Sequence, residues 1–226
     1  MNQFPLLAEY IEGMCLITTT DGCDFMIGKT PVTVGMWKEF CEATWVQMPE
    51  EPWWGWIDDH PMVNVSCNDV LDESGYCQWA MKITNLTLSL PYDNQWMYVA
   101  KGGQKSNRYP WGSEFDPSKL WYSQAAYRSA KQTASVNRTD NIYQNSYGVK
   151  DLVGNCNEWC LTLMRLPNGT QFPFGREDYR VVKGGSWANY KEESFKCSKR
   201  FIYISDDRKN TVGFRIVSPV DTAHRI

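Results

Sequence analysis

The stretch RVVKGGSWANYKEESFKCSKRFIYISDDRKNTVGFRIV occupies residues 180–217 and decides the predicted fold. Its two ends, RVVKGGSW and TVGFRIV, have the composition of strands. Between them, residues 201–204 read FIYI and are bordered on both sides by charged residues. These side chains form either a buried strand of the core or a surface that contacts a partner. A mixed arrangement, with Phe201 and Tyr203 outward and Ile202 and Ile204 inward, also stays open.

The composition is that of a globular chain. Its 226 residues are 42% hydrophobic and 14% aromatic, enough for the core of one domain over residues 1–226. A net charge of −3 without a long run of like charge speaks against nucleic-acid binding. No apolar run reaches the roughly 18 residues that cross a bilayer, and the N-terminus lacks the regions of a signal peptide. We therefore expect no membrane insertion and cytoplasmic synthesis, which is compatible with a virion-associated protein.

The eight cysteines form no CxxC pair, and the two histidines lie far from any cysteine pair in sequence. This spacing speaks against a zinc site. We expect buried free thiols in a reducing compartment rather than a disulfide framework.

Periodicity predicts an α+β fold rich in loops. The helix around residues 66–81 has Ser66 or Asn68 as its N-cap and is weakened by Gly75 in the middle. Residues 103–184 show no helical period. The other predicted elements are strands over 25–33 and 62–65, helices over 34–43 and 93–100, and an extended segment over 88–91.

Seven motifs occur in the order found in one family. They are IGKTPVTVGMWKEFC, HPMVNVSCNDVLDESGYCQW, LPYDNQWMYVAKGG, YPWG, YGVKDLVGNCNEW, RVVKGGSW and VGFRIV. Over residues 25–217 the chain resembles the formylglycine-generating-enzyme (sulfatase-modifying factor) domain family. The resemblance implies a C-type-lectin-like fold with short twisted antiparallel strands and about two packing helices. It also implies one of several roles: a copper oxidase, a sulfoxide synthase, or a non-catalytic binder such as the variable proteins of diversity-generating retroelements.

The copper oxidases of this family hold Cu(I) with two thiolates five residues apart, a choice that suits a soft cation. By resemblance, these positions fall on Glu192 and Cys197, so one thiolate is missing. Asn157 also replaces a tryptophan of the family pattern. We therefore expect no copper, although a divergent oxidase that uses Cys197 stays open as the alternative. A sulfoxide synthase is less compatible still, because the chain has no cluster of histidines.

In the retroelement variable proteins, the hypervariable segment lies between the GGSW-like and GFR-like strands, here residues 188–211. Mutable AAY codons reach Phe, Ile, Tyr, Ser, Asp, Asn, Thr, Ala and Cys, whereas the several Lys and Glu residues of the segment would be fixed. Apolar side chains rimmed by charge are typical of recognition surfaces. We expect a protein or glycan ligand on another cell or particle, as for a phage adhesin. The predicted ligand-binding residues are Tyr190, Phe195, Phe201, Ile202, Tyr203, Ile204, Asp206, Asp207 and Asn210.

The motif DLVGNCNEW resembles a calcium loop of the family. The resemblance assigns side-chain ligands to Asp151 and Glu158 and carbonyl ligands to Gly154 and Cys156. Oxygen ligands at short spacing suit a hard cation. The alternative is a tight turn in which the two carboxylates accept hydrogen bonds from backbone amides.

Two further features have open interpretations. The tryptophans Trp53, Trp54 and Trp56 form either a stacking surface for carbohydrate or a cap on the core beneath a long loop. Gly184 and Gly185 permit either the close approach of a ligand or a bend within the sheet. Three functional classes thus remain: a recognition protein, a divergent oxidase, and a structural interaction module without a dedicated ligand.

Overall fold

A computed structural model describes residues 3–124, 128–129, 131–138, 144–164 and 178–220. Its helices confirm the predicted α+β class and are short. They are α1 (Pro5–Glu12), α2 (Val34–Thr44), α3 (Cys67–Leu71), α4 (Tyr76–Thr84) and α5 (Asp93–Ala100). Short 3-10 turns cover Pro117–Lys119 and Glu192–Phe195. No helix in these ranges has the length and apolarity needed to cross a bilayer.

Nine strands form three small sheets within the described ranges. They are β1 (Cys15–Ile17), β2 (Phe25–Ile27), β3 (Ser123–Gln124), β4 (Arg128–Ser129), β5 (Asn157–Leu163), β6 (Tyr179–Lys183), β7 (Phe201–Ile204), β8 (Val212–Gly213) and β9 (Val217–Pro219). The sheets have the orders β1-β2-β9, β3-β4 and β7-β6-β5-β8. All pairings are antiparallel except that of β5 with β8, which is parallel. Residues 184–211 therefore connect β6 to β8, two strands that both pair with β5.

Local capping explains where α2 and α3 begin. The Thr33 hydroxyl accepts a hydrogen bond from the Met36 amide at 3.4 Å and opens α2. The Ser66 hydroxyl accepts from the Asp69 amide at 3.0 Å, and the Asp69 carboxylate accepts from the Ser66 amide at 2.8 Å. The predicted helix around Gly75 is split into α3 and α4, and a Cβ at Gly75 would lie 2.8 Å from the Asp69 carbonyl oxygen.

The predicted strand over residues 62–65 is wrong. This segment makes single bonds to several neighbours instead of a ladder. The Met62 amide donates to the Val32 carbonyl at 2.8 Å, and the Asn64 amide donates to the Lys209 carbonyl at 3.0 Å. Asn64 has a φ of 59°, which interrupts any extended strand at that residue.

The four-stranded sheet lies between two hydrophobic clusters. Val182 and Trp159 belong to one cluster, whereas their neighbours Val181 and Cys160 belong to the other, as the period of two requires. All eight cysteines are free, and five of them are buried: Cys67, Cys77, Cys156, Cys160 and Cys197. The expectation of buried thiols thus holds for five, while Cys23 is exposed.

Candidate functional site

Residues 201–204 form β7, an edge strand that pairs only with β6 among the described strands. Phe201 lies opposite Val182, which is buried, so Phe201 and Tyr203 share the face that packs on the core. The Tyr203 ring meets Trp159 edge-on at a centroid distance of 6.2 Å. Ile202, on the other face, is 39% exposed. Residues 201–204 are therefore a strand rather than a surface that faces solvent throughout, and the mixed arrangement has the opposite alternation to the one predicted.

Phe195 is a second correction, because its side chain is fully buried. Its ring stacks on Phe115 at 6.2 Å and meets Tyr122 edge-on at 5.1 Å. A Cβ on Gly185 would lie 2.8 Å from this ring, and Gly185 has a φ of 70°. The two glycines of KGGSW therefore allow close packing inside the protein, as Gly184 does against the Leu152 carbonyl, rather than the approach of a ligand.

Eight of the nine predicted ligand-binding residues, all except Phe195, keep part of their surface in solvent. Five of these eight are called the outer surface below: Tyr190, Ile202, Asp206, Asp207 and Asn210. Tyr190 is 65% exposed. The Asp206 carboxylate accepts a hydrogen bond from the Asn68 side chain at 2.5 Å. The Asp207 carboxylate accepts from the Ile204 amide at 3.3 Å, which fixes the turn after β7. The half-buried Ile204 contributes less to this surface than its neighbour Ile202.

A cleft of about 450 Å³ lies between residues 50–53 and residues 208–211. Trp53 lines it and is 65% exposed. Trp54 meets Trp53 edge-on at 5.4 Å on one side and Trp187 at 5.4 Å on the other. The list of predicted site residues missed Trp53 and Trp187. The signal in the sequence was an unusual density of tryptophan, but nothing indicated that residue 187 and residues 53–54 meet.

The carboxylates of the predicted calcium loop are already paired with arginines. Both Glu158 oxygens accept from Arg215 at 2.6 Å, and Trp96 Nε1 donates to one of them at 2.8 Å. Asp151 accepts from Arg138 and from the Asn155 side chain. Burial raises the pKa of Asp151, and the Arg138 charge opposes that rise.

A calcium ion would have to displace both guanidinium groups, so these residues do not fit the ion. Gly154 packs closely on a neighbouring segment, with a φ of 78° and a Cβ position 2.6 Å from the Trp121 carbonyl oxygen. The Cys156 side chain is buried. The alternative prediction, a tight turn in which both carboxylates accept hydrogen bonds from backbone amides, is also incorrect in one detail. The principal partners of Asp151 and Glu158 are side chains. Among the described residues, no cluster of His, Cys, Asp or Glu has the form of a metal site.

The positions that hold copper in the oxidases have taken structural roles here. Cys197 is fully buried, and burial raises the pKa of its thiol to about 12. Its carbonyl accepts from the buried Lys183 ammonium at 2.8 Å. Glu192 accepts a hydrogen bond from the Tyr109 hydroxyl at 2.5 Å. A protonated, enclosed thiol is a poor nucleophile and a poor metal ligand.

The fold is C-type-lectin-like, and together with the altered thiolate positions it defines a formylglycine-generating-enzyme-like domain. The family described as "Sulfatase-modifying factor enzyme 1-like domain" matches residues 17–220, and the chain belongs to that family. The predicted family and fold are thus confirmed.

Relatives in this family include proteins named as active and proteins named as inactive. "Inactive C-alpha-formylglycine-generating enzyme 2" is 31% identical over 171 residues in Bos taurus, covering 71% of this chain and 50% of that protein. Its Mus musculus counterpart is 31% identical over 196 residues, covering 82% and 58%. "Formylglycine-generating enzyme" from Bos taurus is 28% identical over 176 residues, covering 70% and 43%. The chain therefore spans about half the length of these curated relatives.

Two solved structures share the fold. "Treponema denticola variable protein 1" superposes with a TM-score of 0.67 at 19% identity, covering 92% of this chain and 95% of that one. PvdO from Pseudomonas aeruginosa superposes with a TM-score of 0.73 at 22% identity, covering 88% and 82%. At these identities, both superpositions show a shared fold and nothing about a shared role.

Proposed function

We propose that this chain is a non-catalytic recognition protein. It binds a protein or glycan on another cell or particle through the outer surface. The observation that carries the proposal is the division of residues 188–211 by burial. Tyr190 is 65% exposed and Ile202 is 39% exposed, while Cys197, the residue that an oxidase would need, is enclosed in the core.

The scaffold suits the display of side chains. The segment between β6 and β8 is fixed at both ends beside β5, and Phe195 and Cys197 anchor it internally. Apolar side chains held rigidly in water lose little conformational entropy when they meet a partner. The aspartates next to β7 provide a polar rim, the usual arrangement of a binding surface.

The likeness to a variable protein supports a finer proposal, in which residues 188–211 are diversified by a retroelement. Tyr190, Ile202 and Asp206 belong to the residue types that AAY codons reach, and all three are exposed. The test is genomic. A nearby reverse-transcriptase gene with a template copy of this segment that differs at adenines is the expected result, and the absence of both would refute diversification.

An oxygen electrode separates recognition from oxidase activity. The chain is incubated with Cu(I), a reductant and a cysteine-containing peptide, with an active relative as the positive control. We expect no peptide-dependent oxygen uptake and no loss of the peptide thiol. Sustained uptake that disappears in Cys197→Ala would overturn the proposal.

Cell labelling tests recognition itself. Fluorescently labelled chain is incubated with a panel of bacterial cells, and the double variant Tyr190→Ala, Ile202→Asp is compared with Trp45→Ala. Trp45 is 91% exposed but lies after α2, so it is the matched control for loss of an exposed aromatic. Labelling should be lost in the double variant and kept in the control.

A further inference from the structure

The cleft beside the outer surface has two walls from distant parts of the chain. One wall is the loop at residues 50–53, and the other is the end of the displayed segment at residues 208–211. Its volume of about 450 Å³ is in the range of small-ligand sites. The cleft therefore joins Asn210 of the outer surface to Trp53, which the sequence offered separately as part of a stacking surface.

Asn64 joins the two walls. Its side-chain amide donates to the Glu50 carbonyl at 2.9 Å, and its backbone amide donates to the Lys209 carbonyl at 3.0 Å. On the second wall, Trp187 Nε1 donates to the Asn210 carbonyl at 3.0 Å. These three bonds hold the cleft open without any ligand, so binding requires little reorganisation.

Trp53 provides an apolar plane at the rim. It is 65% exposed, although a tryptophan side chain gains much from burial. Trp54, which meets both Trp53 and Trp187 edge-on, supports it from behind. An exposed ring that rests on one aromatic neighbour, itself packed on another, is suited to stacking against a flat ligand face.

The charges that line the cleft sum to zero. Glu50 and Glu51 are carboxylates, whereas Arg208 and Lys209 are cations. Arg208 is paired with Asp69 at 2.5 Å, and the Lys209 ammonium lies 4.9 Å from the Tyr203 ring centroid. The site therefore attracts neither a strong anion nor a strong cation, but it offers donors and acceptors side by side.

We propose that this cleft binds a neutral sugar residue of a glycan. A sugar ring has an apolar C–H face for Trp53 and hydroxyls that both donate and accept, which suits carboxylates and amides on the opposite sides. The inference rests on the proposed recognition function and specifies its ligand as carbohydrate. The outer surface contacts the remainder of the glycan or its carrier.

Saturation-transfer NMR with neutral methyl glycosides tests the cleft directly. The probes are the methyl glycosides of glucose, galactose, mannose, fucose and N-acetylglucosamine, and an immobilised neutral-glycan array gives relative affinities. We expect the wild-type chain to bind at least one probe. Binding should fall at least tenfold in Trp53→Ala, fall less in Trp53→Tyr, and stay unchanged in Trp45→Ala. Equal unfolding temperatures confirm that each variant is folded.

The outcomes separate this inference from the proposed function. If wild type binds no probe and no glycan on the array, or if Trp53→Ala binds as wild type does, the carbohydrate inference is wrong. Recognition still stands in that case when cell labelling depends on Tyr190 and Ile202. If labelling is absent and oxygen is consumed instead, the proposed function itself has failed.

Discussion

The two faces of β7 should respond differently to the same substitution. Threonine favours strands, as both tyrosine and isoleucine do, so changing Tyr203 or Ile202 to threonine isolates packing from strand preference. Truncation of a fully buried aromatic side chain costs about 3–5 kcal/mol. Tyr203 is half-buried, which reduces this to about 2 kcal/mol, and the lost edge-on contact with Trp159 adds about 0.5–1 kcal/mol. Tyr203→Thr should therefore cost about 2–3 kcal/mol, and Ile202→Thr about 1 kcal/mol or less.

Urea unfolding followed by tryptophan fluorescence measures both costs. With a slope of about 2–3 kcal/mol per molar urea, Tyr203→Thr should lower the midpoint by about 1 M. Ile202→Thr should lower it by less than half as much, yet it should weaken cell labelling more. Equal midpoints, or a larger shift for Ile202→Thr, would refute the orientation of β7 and with it the assignment of Ile202 to the outer surface.

Four other expectations concern the interior. Arg215→Met leaves Glu158 buried without its cation, so it should lower the free energy of unfolding in urea by about 3–5 kcal/mol. Adding Glu158→Leu should recover part of that free energy, and a double variant that recovers none would contradict the pairing. Gly185→Ala should destabilise more than Gly22→Ala, because both glycines have positive φ but only Gly185 faces a ring at 2.8 Å; equal costs would mean that Phe195 moves freely. The pKa of the Cys197 thiol is about 12 in the folded state and 9.0 ordinarily, so the stability it contributes is complete below pH 9 and is lost between pH 9 and pH 12. In that window, Cys197→Ala should lessen the fall in unfolding free energy by about 1.4 kcal/mol per pH unit. A fall with the same slope in both proteins would mean that the thiol lies in solvent. Millimolar calcium, compared with EDTA, should leave the unfolding temperature unchanged, since Arg215 and Arg138 already neutralise the loop; a rise would show that the loop binds the ion.

Local signals in the sequence predicted α2 and α5 closely, but they predicted α3 and α4 as one helix and did not predict α1. Ser66 and Asp69 form a capping box within four residues, and Gly75 marks the break between α3 and α4. The order of seven motifs identified the family, which supplied a fold that periodicity alone does not indicate. Segments of two to five residues carry too few side chains for the alternation of apolar and polar residues to identify a strand reliably. This explains why a strand was wrongly predicted at residues 62–65.

The candidate site was harder to predict because burial there depends on distant partners. FIYI has the same composition whether it is an edge strand or a loop, and only its register with β6 sets which residues face the core. Phe195 is buried because Gly185, ten positions earlier, leaves room for its ring. Asp151 and Glu158 resemble cation ligands until Arg138 and Arg215 are placed beside them. Pairings over such separations leave no periodic trace in one sequence.

The anchors inside residues 188–211 have a practical consequence for protein engineering. A combinatorial library built on this scaffold can randomise Tyr190, Ile202 and Asp206 while Phe195, Cys197 and Ser205 are left unchanged. Ser205 belongs with the retained positions because its amide and hydroxyl both donate to the Asp178 carbonyl, at 3.0 and 2.6 Å. The randomised side chains contribute little to the free energy of folding. Library members should therefore fold as the parent chain does, and selections from them would yield new affinity reagents.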